Sequence, residues 1–197
     1  MRSAGLEGCE QACCRYSLVP LQGGHGEARG GLRRGACETA AITKFTSKTT
    51  TTGCPSCINL ASIGAAVAAL LDGVNNKVFC DPAGTPLGGD DMGTTASTKA
   101  IGKCECGVAK ATGKLGAAVA SCHIEEGEGK LVGDSAEEPC ETAAITKFTS
   151  KTKTAGCPSC INLTSIGNFV ASTDDGVNSG IWCGSPSGAF LDSPAGF

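Results

Sequence analysis

The sequence predicts an all-α protein of small disulfide-stapled helical hairpin repeats with irregular loops. Three observations carry that expectation. Leu, Ile, Val and Phe together make only 36 of the 197 residues and aromatics only 4%, too little for a large apolar core. The 14 cysteines approach the share that marks a disulfide scaffold, in which each cross-link contributes about 2–4 kcal/mol. Finally, residues 37–64 recur at 140–167, offset by 103, with 25 of 28 positions identical; internal repetition of this kind organises a whole fold. Disorder through charge repulsion needs a high net charge, and here it is −3 with 18% charged residues.

The repeat divides the chain into an irregular Arg/Gly-rich leader (1–36), copy A (37–80), a linker plus B helix (81–139), copy A′ (140–183) and an irregular tail (184–197). Beyond the near-identical block, four cysteines stay in register: Cys37, Cys54, Cys57 and Cys80 against Cys140, Cys157, Cys160 and Cys183. The leader holds five Arg and no Lys, while the remainder holds eleven Lys and no Arg. That break reads as a misplaced start, a truncated gene or an unrelated leader, with a basic tail for an anionic partner as the other reading. The A copies at both ends of a single B, which leave Cys37 and Cys54 without a partner helix, lead to the expectation that the chain is a piece of a longer array. No apolar stretch approaches a membrane span, and no apolar signal-peptide core is visible at the start.

Within copy A, Ala41, Ile42 and Phe45 predict a short helix stopped by Gly53 and Pro55. Leu60, Ile63, Val67, Leu70, Leu71 and Val74 then share one helical face, with Gly73 as the expected stop. In the B segment, Ile101, Cys104, Val108, Ala111, Leu115, Ala118 and Cys122 fall near heptad positions. Gly102, Gly107, Gly113 and Gly116 weaken that helix by roughly 1 kcal/mol each relative to Ala. The polar stretch 125–139, EEGEGKLVGDSAEEP, reads as a turn, after which copy A′ repeats the pattern of copy A.

Cysteine spacing supplies the staples. Cys104 to Cys122 is 18 residues and Cys140 to Cys157 is 17. Consecutive antiparallel helices of that length would bring Cys122 to Cys140 at the turn and Cys104 to Cys157 at the open end. Cys160 with Cys183, and Cys57 with Cys80, bracket the second helix of each copy. No spacing assigns partners to Cys9, Cys13, Cys14, Cys37, Cys54 or Cys106, since sequence alone does not give connectivity.

Chemical motifs are sparse. CPSC at Cys54–Cys57 and Cys157–Cys160 has the form of a redox pair preceding a helix, but no βαβ pattern precedes either copy. A thiolate metal site would need two ligand pairs; Cys54, Cys57, Cys104 and Cys106 are the set on offer, and the second copy has no equivalent of CEC. Cys122-His123 lacks the first cysteine of a haem-attachment motif, so His123 reads as a solvated residue in a polar turn. Glu125, Glu126, Glu128, Glu137 and Glu138 lack calcium-loop spacing and read as solvated too. No phosphate-cradling Gly loop occurs, and the two histidines form no nucleophilic arrangement. Asn162-Leu163-Thr164 is a glycosylation sequon absent from copy A, where Ala61 replaces Thr.

The alternation CETAAITKFTSKT…GCPSC, then an Ala/Gly-rich helix ending CHI, then acidic residues and CE again, resembles uncharacterised secreted Cys-rich helical-repeat proteins of bacterial genomes. The resemblance spans residues 37–183 and implies architecture without any activity. The expectation is therefore an extracellular or cell-surface, non-enzymatic repeat protein with a structural or binding role. It has no cofactor and no nucleic-acid partner, and it associates with itself or with other repeat modules. The alternative is a thiol-based metal or redox protein using CPSC and CEC.

Overall fold

The computed structural model describes residues 39–52, 54, 56–79, 98–132, 134–181, 183–184 and 189–190. Five helices account for nearly all of it: α1 (39–48), α2 (Leu60–Val78), α3 (Lys99–Gly127), α4 (Asp134–Lys151) and α5 (Leu163–Ile181). A two-residue antiparallel pairing follows, β1 (Cys183–Gly184) with β2 (Ala189–Phe190). Among the described residues the fold is all-α apart from that pairing. The leader, the 81–97 linker region and Cys9, Cys13, Cys14, Cys37 and Cys80 lie outside the described residues.

Local signals recur at the repeat offset. Asn59 Oδ1 caps α2 by accepting from the Ala61 and Ser62 backbone N–H groups, and Asn162 Oδ1 caps α5 by accepting from Ser165. Thr98 caps α3 by accepting from the Ile101 N–H at 3.2 Å. Inside each copy a glycine admits an isoleucine. A Cβ on Gly64 would stand 3.1 Å from Ile42 Cγ2, and one on Gly167 would stand 2.8 Å from Ile145 Cγ2.

Three sequence expectations need correction. Gly73 does not stop α2, which continues to Val78; the bare Cα of Gly73 receives the Phe169 ring of α5, a tertiary use of glycine. Ala118 is exposed and Val119 is buried, because a straight α-helix drifts off a strict seven-residue spacing. The 125–139 stretch is not one turn. Helix α3 runs on to Gly127 and α4 begins at Asp134, so the connection is only 128–133. It is closed by a Schellman motif: the Lys130 N–H donates to the Glu125 carbonyl and the Gly129 N–H to the Glu126 carbonyl, both at 2.8 Å. Gly129 takes the required positive φ of 71°.

Helix α3 lies against α4 and α5, and α5 packs on α2. Their shared core is Val74 and Val78, Cys104, Val108, Leu115 and Val119, Phe148, Ile166 and Val170. Helix α4 contributes little to it. Most of its residues are polar, and Ser150 and Thr149 return their hydroxyls to its own carbonyls. Two disulfides hold it instead: Cys122–Cys140, closing 18 residues of sequence separation, and Cys104–Cys157, closing 53. They clip the α3–α4 hairpin at the turn and at the open end.

Two stability outcomes follow. In the chain-entropy account a bridge over a longer loop stabilises more, about 4 kcal/mol for the Cys104–Cys157 closure against about 3 kcal/mol for Cys122–Cys140. Urea unfolding should show the C104A/C157A pair losing more stability than C122A/C140A. Gly167→Ala should lower the melting temperature despite alanine's higher helix propensity, since overpacking costs roughly 1–3 kcal/mol. A double-mutant cycle should show that loss shrinking in an Ile145→Ala background.

Candidate functional site

The face of α3 that buries Val108, Thr112, Leu115 and Val119 continues one turn further into His123 and Glu126, which are also buried. Thr112 satisfies its own hydroxyl by donating to the Val108 carbonyl at 2.9 Å. His123 turns its two ring nitrogens toward carboxylates of the neighbouring helices. Across the hairpin, Glu137 and Glu141, four residues apart on α4, share one helical face and are buried opposite it. Helix α5 completes the cluster with Asp174 and Asp175.

Distances define two sides of the imidazole. Nδ1 lies 3.0 Å from Glu137 Oε1; Nε2 lies 3.1 Å from Glu141 Oε1 and 3.5 Å from Asp175 Oδ1. The side chains of His123, Glu137 and Glu141 are 7%, 10% and 7% exposed, whereas Asp175 is 58% exposed and opens the cluster to solvent. The position of the imidazole is set by covalent neighbours. His123 follows Cys122 and Glu141 follows Cys140, so the disulfide between those cysteines brings the two helices together at this level.

The electrostatics are those of too many acids around one base. Burial opposes the imidazolium of His123, yet the carboxylates of Glu141, Glu137 and Asp174 outweigh it and hold the pKa above its ordinary value. Burial, followed by the Glu141 and Glu126 carboxylates, pushes Glu137 up to about 7 against the pull of His123. Burial likewise lifts Asp174 to about 6, and Asp175 is raised by burial and by Glu141. Near neutral pH the cluster therefore holds protons that solvent-exposed carboxyls would have released.

This site was not expected. His123 and the glutamates read as solvated turn residues; the structure places His123, Glu126 and Glu137 on helices and buries them. The missed signal is the spacing itself: 108, 112, 115, 119, 123 and 126 form one continuous helical face, and 137 and 141 form another. Among the cysteines, the structure joins Cys104 to Cys157 and Cys122 to Cys140, and Cys57, Cys106 and Cys160 are also disulfide-bonded. Cys183 lies in β1. The alternative thiolate set of Cys54, Cys57, Cys104 and Cys106 is corrected on that ground: three of its four sulfurs are in disulfides, and a metal needs thiolate. CPSC at 157–160 is not an internal redox pair either, because Cys157 is bonded to Cys104. Cys54 is an exposed free thiol.

The pH dependence has one sign. A carboxyl whose pKa is raised by folding binds more protons folded than unfolded, so its effect on stability grows less favourable as pH climbs from its ordinary value to the raised one. For Glu137 that window is 4.5 to about 7, and for Asp174 it is 3.8 to about 6. His123, also raised, loses its contribution as pH passes its folded-state value. The facing groups are Glu126 from α3, Glu137, Glu138 and Glu141 from α4, and Asp174 and Asp175 from α5. With chelator present, the melting temperature should be higher near pH 5 than near pH 8. Glu137→Gln should flatten that profile and raise the melting temperature at the alkaline end. Comparison with family models, with curated proteins and with solved structures finds no match to this chain.

Proposed function

We propose that the chain is an extracellular or cell-surface helical module whose role is structural or binding, exercised by association with another copy or another repeat module. One observation carries the reading: an all-α fold with a thin core whose helical hairpin is clipped at both ends by disulfides. Such bonds persist in oxidising compartments. No helix among the described residues is long and apolar enough to cross a membrane, which accords with a secreted module.

A comparison of the two copies supports association. Phe148 of copy A′ is buried in one cluster with Val108 and Val119 of α3, whereas its counterpart Phe45 is only half-buried. Cys157 is tied to α3, whereas its counterpart Cys54 is free and exposed. Among the described residues, copy A thus presents side chains whose copies are covered in A′. Membership of the secreted Cys-rich repeat proteins it resembles is part of the same proposal.

Sedimentation velocity of the oxidised full chain, with Cys54 changed to Ser to prevent adventitious cross-linking, tests the reading. Concentration-dependent self-association, weakened by Phe45→Ser, is the expected outcome. A monomer at every concentration, unchanged by that substitution, would remove self-association from the proposal.

A further inference from the structure

The buried cluster goes beyond an assembly role. The donor atoms of His123, Glu137, Glu141 and Asp175 all lie within 4.8 Å of one another. They do not form an acid patch on a surface, because an imidazole stands at the centre and two of the carboxylates are about nine-tenths buried. Glu137 Oε1 and Glu141 Oε1 are shut off from water and accept no hydrogen bond; a ring nitrogen is the charge neighbour of each. Asp174 Oδ2 is buried beside them and is also without a hydrogen bond. Oxygens in that state cost stability unless something charged satisfies them. One imidazolium offers a single positive charge to Glu137, Glu141, Asp174 and Asp175.

The spacing suits a cation. Ligand atoms about 2.0–2.1 Å from a tetrahedral zinc ion stand about 3.4 Å apart. Nε2 of His123 is 3.1 Å from Glu141 Oε1 and 3.5 Å from Asp175 Oδ1. On the opposite edge of the ring, Glu137 Oε1 is 3.0 Å from Nδ1. A carboxylate on that edge of the ring, here in ion contact with it, is the group that in metal sites holds the imidazole's orientation. We propose that His123 Nε2, Glu141 and Asp175 bind one divalent transition-metal ion of the zinc class, with Glu137 as the positioning residue for the imidazole. A nitrogen donor among few oxygens favours this class over calcium or magnesium, which take oxygen shells. Exposed Asp175 provides the entry side and leaves room for water as a further ligand.

The site is particular to the second half of the chain. At the 103-residue offset, Pro20 stands for the ligand His123 and Arg34 for Glu137, although Glu38 and Asp72 match Glu141 and Asp175. The near-identical repeat therefore supplies an internal control: one ion per chain is expected, not two.

The test uses the full chain carrying Cys54→Ser, so that the free thiol cannot bind metal, stripped with chelator and titrated with Zn²⁺ against a chromophoric competitor near neutral pH. Expected are one zinc per chain, a raised melting temperature, and a cobalt derivative with visible d–d bands and no thiolate charge-transfer band. Asp175→Asn, at an exposed position, should keep the circular dichroism spectrum and weaken zinc binding about tenfold or more. Glu141→Gln should abolish binding if it folds. Absence of zinc binding would overturn the proposal and leave a proton-sharing His–carboxylate core; zinc bound equally by the parent and Asp175→Asn would overturn it in favour of another locus.

Discussion

The Cys122–Cys140 disulfide is the constraint on which the rest of this structure depends. Helix α4 has no continuous apolar face; Ala144, Ile145 and Phe148 are its main apolar contribution to the core. A helix so polar docks poorly by burial alone. The covalent link at its N-terminal half, supported by Cys104–Cys157 beyond its C-terminal end, removes that requirement. It reduces the open states available to the unfolded chain and so lets α4 lie on α3 while presenting carboxylates inward.

Those carboxylates would otherwise be a reason for the hairpin to separate. Desolvating a charge is costly, and a buried ion pair rarely stabilises a fold beyond what apolar residues of the same size would give. The Glu137, Glu141 and His123 group is therefore better understood as something the fold tolerates than as something that holds it together. The cost is reduced because burial raises the pKa of Glu137 and Asp174 toward proton uptake and because the imidazole has acids on both edges. Polar groups kept inside at a cost in stability commonly mark function.

The repeat separates local from non-local causes. Copies A and A′ form helices with the same bounds at the 103-residue offset over Leu60–Val78 and Leu163–Ile181, with the same Asn caps and the same Ile-on-Gly contact. Everything set by neighbours in sequence is duplicated. What differs is set by α3. It buries Phe148 and binds Cys157 in the second copy, while Phe45 stays half-buried and Cys54 stays free in the first. The Phe169 ring against Gly73, with Lys77 Nζ 5.1 Å from the ring centroid, likewise has no counterpart, because Ala66 stands where Phe169 does.

The sequence by itself determined the helical class, the duplicated elements and the antiparallel B–A′ hairpin, because periodicity, caps and matched cysteine spacing are local or depend on helix length alone. It left the end of α2 and the length of the turn open to misreading. Glycine at 73 is equally a stop signal and a packing notch, and only the Phe169 ring decides between them. The acidic stretch after Cys122 looked solvated because charged residues usually are. Tertiary structure decided otherwise. Extending α3 by a turn carried His123 and Glu126 onto the core face, and the disulfide placed Glu137 and Glu141 opposite. Asp174 and Asp175 arrived from a helix some fifty residues away in sequence. Burial is a property of what covers a side chain, and that cover comes from segments that no local pattern relates to it.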